Sequence, residues 1–373
     1  MTTTVLRASE PRDLLAYALY TLGFRPRNSL VVVCLGDRNR VVGPVARFDL
    51  PPLEPRVARD VAAVVGSVAA QARARSVVVV AFTDEDVPSW LLDAVEDHLG
   101  ALGARLLDAF AVGSARYRCL TCDGPCCPEE GWPVGELESS RVGAEMVLQG
   151  CALLADREAL AGDLSPLGRA FRREVARVAS EAERRWDAAG PAERTSRRTE
   201  ALRRWDGALG RPVEEVTATD AGHLVAALSD HPLRDAVIRT AGPGGGHAAE
   251  LLVRRPSGAG PLADVVVDAL DGVFGCPGGA GATVTPDRDL ALRVEALLRR
   301  LARATRGRRQ ARSLAVMAWL AWWTGQGARA DVLLTRVEAA DPGHSLAALL
   351  RTAVDGRVPP PWACHDPLPR PAC

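Results

Sequence analysis

Four cysteines fall within nine residues, Cys119-Leu120-Thr121-Cys122-Asp123-Gly124-Pro125-Cys126-Cys127. Thiolates are zinc ligands, and two cysteines separated by two residues on a turn form the usual half of a tetrahedral site. Cys119 and Cys122 have that spacing. Cys126 and Cys127 do not: adjacent side chains point in different directions, and a knuckle places about two to four residues between its ligands. All four thiols on one ion would strain the loop. Three of them with a distant fourth ligand, Cys151 or His98, make an easier site. The same residues also allow a disulfide or redox pair, or plain thiols tying a loop to a sheet. All three readings stay open. A metal here would be structural, because no neighbouring His-Glu-x-x-His pattern offers an open catalytic position.

A second candidate is Thr83-Asp84-Glu85-Asp86, directly after the apolar run that ends at Phe82. In open α/β sheets, ligands gather beyond the carboxyl ends of strands. Asp84 and Asp86 there could bind a cofactor through Mg²⁺ or act as acid and base. The competing reading makes Asp86 the cap of a helix beginning near Pro88, with its acidic neighbours favoured by the helix dipole. Gly242 to Gly246 and Gly275 to Gly281 could bring backbone N–H groups close to phosphates. Neither follows a strand pattern or ends in Gly-Lys-Ser/Thr, so both read as loops. No Gly-x-Ser-x-Gly elbow is present, and Cys364-His365 sits in a proline-rich stretch.

Composition narrows the chemistry further. The chain has 373 residues, 46 basic ones and a formal net charge of +0, and it contains no lysine. That excludes a Schiff-base lysine, a lysine general base and a Walker lysine. Arginine stays protonated and cannot replace lysine in proton transfer. Arg299, Arg300, Arg303, Arg306, Arg308, Arg309 and Arg312 form a run with no acid among them. Such a run could meet phosphates or an acidic partner, but no Phe or Tyr is interleaved to stack on bases, so nucleic acid is not the expected partner. Arg169 to Arg211 is interleaved with acids at helical spacing and reads as a salt-bridged, solvated face. The longest apolar run, Leu314 to Trp323, is too short to span a bilayer. Met1 to Glu10 does not read as a signal peptide, so a cytoplasmic protein with no membrane contact is expected. Nine cysteines are too few for a disulfide scaffold.

The elements that would position these residues follow from periodicity. Pro11 to Leu22 has helical spacing, with Ser9 as cap. Leu30 to Leu35 is a short apolar run bounded by turn residues, a strand buried on both faces and central to the first domain. Arg40 to Leu50 reads as its hairpin partner. Glu54 to Ala74 is a helix, Ser76 to Phe82 a second buried strand, Val87 to Leu99 a helix, and Ala104 to Val112 a third strand. This alternation predicts parallel crossover units. The expected fold is therefore an α/β N-terminal domain over residues 1–150, a mixed, largely parallel sheet with helices on its faces and a Cys-rich loop at 118–135. An all-α domain over 151–373 follows. It starts with a helix capped by Ser165 and holds another capped at Thr285-Pro286-Asp287. At 311–344, Ala311, Leu314, Ala318, Ala321, Ala330, Leu334 and Pro342 have the offsets of one tetratricopeptide-like hairpin. Trp319, Trp322 and Trp323 read as its core.

The order of these pieces resembles an actinobacterial family known as domain of unknown function 4192. The stretches that carry the likeness are Leu22–Leu35, Phe48–Pro51, Cys122–Gly131, Ala227–Asp235 and Ala318–Leu350. The resemblance covers nearly the whole chain and implies an intracellular protein with no activity or catalytic positions to carry over. The residues themselves point to a non-enzymatic interaction or scaffold protein that contacts another protein through its C-terminal helical hairpin. The alternative is an enzyme with a small-molecule site near Asp84 and Asp86 and zinc or thiol chemistry at Cys119, Cys122, Cys126 and Cys127.

Overall fold

Between Asn28 and Gly36 no polar residue alternates with the apolar ones, so strand β1 (Ser29–Leu35) must be covered on both faces, and all of it is buried. Strand β3 (Ser76–Phe82) is buried in the same way. A computed structural model of the chain describes residues 8, 10–42, 45–122, 124, 127–148, 151–242, 245–254, 286–356, 358 and 360. Ser9, Cys126, Thr285, Cys364 and His365 lie outside the described residues, as do 243–244 and 255–285. The chain divides into two compact units, Met1–Leu160 and Ala161–Cys373.

In the first unit, helix α1 (Pro11–Leu22) precedes β1, with Glu10 as its cap in a reciprocal pair with Asp13. Then come β2 (Ala46–Asp49), α2 (Ala58–Gln71), β3, α3 (Ser89–Ala101), β4 (Arg105–Val112), β5 (Arg116–Cys119) and β6 (Trp132–Pro133). Two helices, α4 (Gly135–Glu138) and α5 (Arg141–Leu148), complete it. The strands form one sheet in the order β2-β1-β3-β4-β5-β6. Leu30, Val32, Cys34, Val77 and Val79 meet Val61 and Val65 of α2 and Leu91, Val95 and Leu99 of α3 on one face. On the other, Val31, Val33, Val78, Val80 and Phe110 meet Leu15 and Leu19 of α1 and Leu137 of α4.

The sheet is mixed but not largely parallel. Only β3 and β4 pair in parallel; β1 with β2, β1 with β3, β4 with β5 and β5 with β6 are antiparallel. The β1–β2 hairpin turns the chain round before α2 begins. The crossover through α2 therefore makes β3 parallel to β2, and β1 lies between them running the opposite way. The hairpin partner is also shorter than Arg40 to Leu50: its start is reduced to one bridge, Leu35 with Val41. The Cys-rich segment joins two further strands at one side of the sheet, β5 and the edge strand β6, that its composition did not reveal.

The second unit contains α6 (Arg169–Ala188), α7 (Pro191–Leu209), α8 (Ala218–Ala227), α9 (His231–Thr240), α10 (Gly245–Arg254), α11 (Arg288–Ala304), α12 (Gly307–Trp323), α13 (Gly327–Ala340) and α14 (Ser345–Asp355). It holds no strand among the described residues. Thr217, Asp230 and Asp287 accept backbone N–H groups as caps of α8, α9 and α11. Ser165 does not cap α6, which starts after Gly168 without a side-chain cap. The apolar run Leu314 to Trp323 is the buried centre of this unit. A helix apolar on every side has to be surrounded by others. Trp319 and Trp323 stack at 5.3 Å inside it. Among the described residues no helix is long and apolar enough to cross a membrane.

Candidate functional site

Phe82 and Val112 pair side by side where β3 and β4 end, and Thr83 extends the ladder by donating its N–H to Val112 O at 3.1 Å. Asp84 follows. Its Oδ1 accepts the Ser114 N–H at 2.6 Å, across the turn between β4 and β5. That backbone bond, with the Ser114 hydroxyl and nearby Arg27, holds the Asp84 carboxyl below the usual carboxylate range. Thr83 Oγ1 accepts the Glu85 N–H at 3.0 Å. Asp86 accepts from Arg118 Nη2 of β5 at 2.6 Å. Asp86 does not cap α3, which begins after Pro88 with no side-chain cap. The two acids therefore fasten the edge hairpin to the sheet.

The same end of the sheet holds a cluster that the sequence did not disclose. Ser29 is fully buried; its hydroxyl donates to Arg27 O at 2.7 Å and accepts from Arg47 Nη2 at 2.8 Å and Nε at 3.0 Å. Arg47 also pairs with Asp49 at 2.5 Å. The only sign of it in the chain was a lone polar residue opening an apolar strand.

Cys119, at the end of β5, donates its thiol to Asp108 Oδ1 at 3.2 Å, and Thr121 Oγ1 donates to the same oxygen at 2.7 Å. Burial pushes the Cys119 thiol up, more than its bonds to Thr121 lower it, and Asp108 raises it further. It is a protonated donor at neutral pH. Cys122 Sγ accepts the Gly124 N–H at 3.4 Å, and the Cys127 N–H reaches Gly124 O at 3.0 Å. Cys126 is outside the described residues. His98 belongs to α3 and lies against Gly66 of α2, so it is across the sheet from Cys119, which packs with the α1 face. Cys151 packs with Tyr20, Val142 and Met146. Among the described residues no group of three or more His, Cys, Asp or Glu is placed to hold a metal ion.

A groove of about 720 Å³ opens between α2 and α3, lined by Arg56, Arg59, Asp60, Asp97 and His98. It lies in the outer helix layer and involves neither Asp84 nor Asp86.

Six residues of the arginine run are bonded within the second unit. Arg299 donates to Ala161 O at 2.8 Å and pairs with Glu295. Arg300 donates to Val216 O at 2.9 Å and covers the Phe171 ring. Arg303 donates to Ser165 O at 2.8 Å. Arg308 reaches Asp341, while Arg309 and Arg312 converge on Glu183. On α6 and α7 the interleaved charges pair as their spacing suggests, for example Arg177 with Glu174 and Arg197 with Glu193.

A family model described as a domain of unknown function, DUF4192, matches residues 11–263 and 281–361. No curated protein and no solved structure matches the chain.

Proposed function

The chain belongs to the DUF4192 family of unknown function, and from that premise we propose that it is a non-enzymatic interaction or scaffold protein. The observation that supports this is the use made of its chemically able side chains. Asp84 is spent on Ser114, Asp86 on Arg118, Cys119 on Asp108, and six arginines of the run on carbonyls and carboxylates of the same unit. These groups act as struts. The helices they brace include the α12–α13 pair, with its tetratricopeptide-like spacing. Stacked helix pairs of that kind present extended faces to other proteins. The partner contact is assigned to the exposed side of α13, around Thr335, Arg336 and Ala339.

Amine-directed cross-linkers have no lysine to react with, so the test uses a photoreactive benzoylphenylalanine. It is placed at Arg336 or at Glu85 in the full chain, expressed in its native cells. The proposal expects a discrete protein adduct from position 336 and none from 85. A small molecule that raises the Tm of the wild-type chain but not of Asp84→Asn would instead establish a ligand site at the strand ends and overturn the reading.

A further inference from the structure

Arg306, at the corner between α11 and α12, is exposed and has no hydrogen-bond or carboxylate partner among the described residues. It is the member of the arginine run that braces nothing. Three arginines at the start of α6 resemble it. Arg169 and Arg173 are exposed and make no bond among the described residues, and Arg172 Nε reaches only the Leu167 carbonyl, at 2.8 Å.

The fold brings these four to one place. Leu167 N–H donates to Arg303 O at 3.0 Å, and Arg300 covers the Phe171 ring at 4.9 Å. Those contacts lay the end of α11 across the start of α6. Arg309 Nη1 then reaches Ala176 O at 3.4 Å, so the corner at Arg306 lies beside the first turns of α6. Asp163, next to the same corner, is taken by Arg303 at 3.1 Å.

Folding alone gives the four charges little. A cation at the start of a helix opposes the helix dipole. Both α6 and α12 begin here, and neither has an acidic residue in its first turn or a side-chain cap. The excess is also local, since the whole chain has a formal net charge of +0. Elsewhere on α6 and α7 the exposed arginines have a glutamate one turn away, as Arg177, Arg197 and Arg203 do.

We propose that this corner is a docking surface for a short acidic segment of a partner protein, with Arg169, Arg173 and Arg306 receiving its carboxylates. A guanidinium takes a carboxylate through two parallel N–H bonds. The extent of the patch favours a short peptide over a nucleic acid. Further along α6, Glu174 and Glu181 are partly exposed, so a continuous row of phosphates would run into carboxylates. Phe171 is covered by Arg300 and is not offered to a base. The surface is separate from the α13 contact and does not depend on it.

The test is fluorescence anisotropy of the full chain with a labelled decaglutamate peptide, and with duplex and single-stranded DNA of equal charge. Wild type should bind the peptide saturably, more weakly as salt is raised, and more tightly than either DNA. An exposed ion pair is worth about two- to threefold. The triple variant Arg169→Gln, Arg173→Gln, Arg306→Gln should therefore bind the peptide about tenfold more weakly. Its Tm should be no lower than that of wild type, because the charges it removes oppose two helix dipoles. A control triple, Arg59→Gln, Arg75→Gln, Arg105→Gln, removes the same charge from exposed sites of the first unit and should bind as wild type does. The proposal is overturned if the peptide does not bind, if salt leaves its binding unchanged, or if the first triple binds it like wild type. A control that loses as much affinity overturns it too, by showing a diffuse attraction. So does tighter binding of DNA that the first triple abolishes, which would make the surface a nucleic-acid site, or a fall in the Tm of that triple, which would make these arginines braces.

Discussion

Helix α9, which carries Arg239 at one end, is anchored at the other by Asp230. That carboxylate accepts two bonds from Arg198 of α7, Nε to Oδ1 at 2.8 Å and Nη2 to Oδ2 at 2.9 Å. Its Oδ1 also caps α9 by accepting the Leu233 N–H at 3.1 Å. The two side chains are 3% and 10% exposed. Removing one partner of a buried ion pair costs about 3–5 kcal/mol, because the other charge is stranded. A lost cap costs about 1 kcal/mol. Asp230→Ala loses both and should destabilise the helical unit by about 4–6 kcal/mol. Asp230→Asn keeps a capping oxygen and should cost about 1 kcal/mol less. The double variant Arg198→Met with Asp230→Asn strands no charge, and should be more stable than either single variant. Urea unfolding followed by tryptophan fluorescence measures all of this, since Trp205 lies on α7 and is 1% exposed. If the losses of the two single variants simply add in the double, the two groups are not coupled and the argument fails.

Three further outcomes are expected. Gly131 has φ +71° and a β-carbon there would meet Tyr117 O at 2.4 Å. Gly131→Ala should therefore loosen the β5–β6 pair and cost at least about 1 kcal/mol, with Cys119 alkylated faster than in wild type. Glu183 and Glu295 are pushed up by burial, but their arginine partners outweigh this and leave both below the usual carboxylate range. Their stabilisation is present above the unfolded value of about 4.3 and is lost as pH falls through the lower folded values. The Tm of the wild-type chain should therefore drop steeply below about pH 4, and that of Glu295→Gln less so; parallel curves would contradict this. Asp84→Asn should speed hydrogen exchange at the Ser114 amide and leave the α2–α3 amides unchanged. Unchanged exchange at Ser114 would show that Asp84 does not hold the turn.

The buried strands, the cap at Asp287 and the inward tryptophans were legible in the chain because each is a local effect. A run without polar alternation can only be a core strand or a core helix segment. A capping carboxylate acts over three residues, and a ten-residue apolar stretch must be covered. The direction of β3 against β1 was not local, because β-branched residues fit parallel and antiparallel ladders equally well and the intervening hairpin decides between them. Asp86 had two neighbours to choose from: a helix start two residues away in sequence and Arg118 on the next hairpin, and only folding brought the second within 2.6 Å. The arginine run was legible as charge but not as a set of struts, because Arg299 finds its acceptor 138 residues away. Arg239 was invisible for the same reason. A sequence names the guanidinium, whereas its burial, with no carboxylate partner among the described residues, depends on which helices close around it.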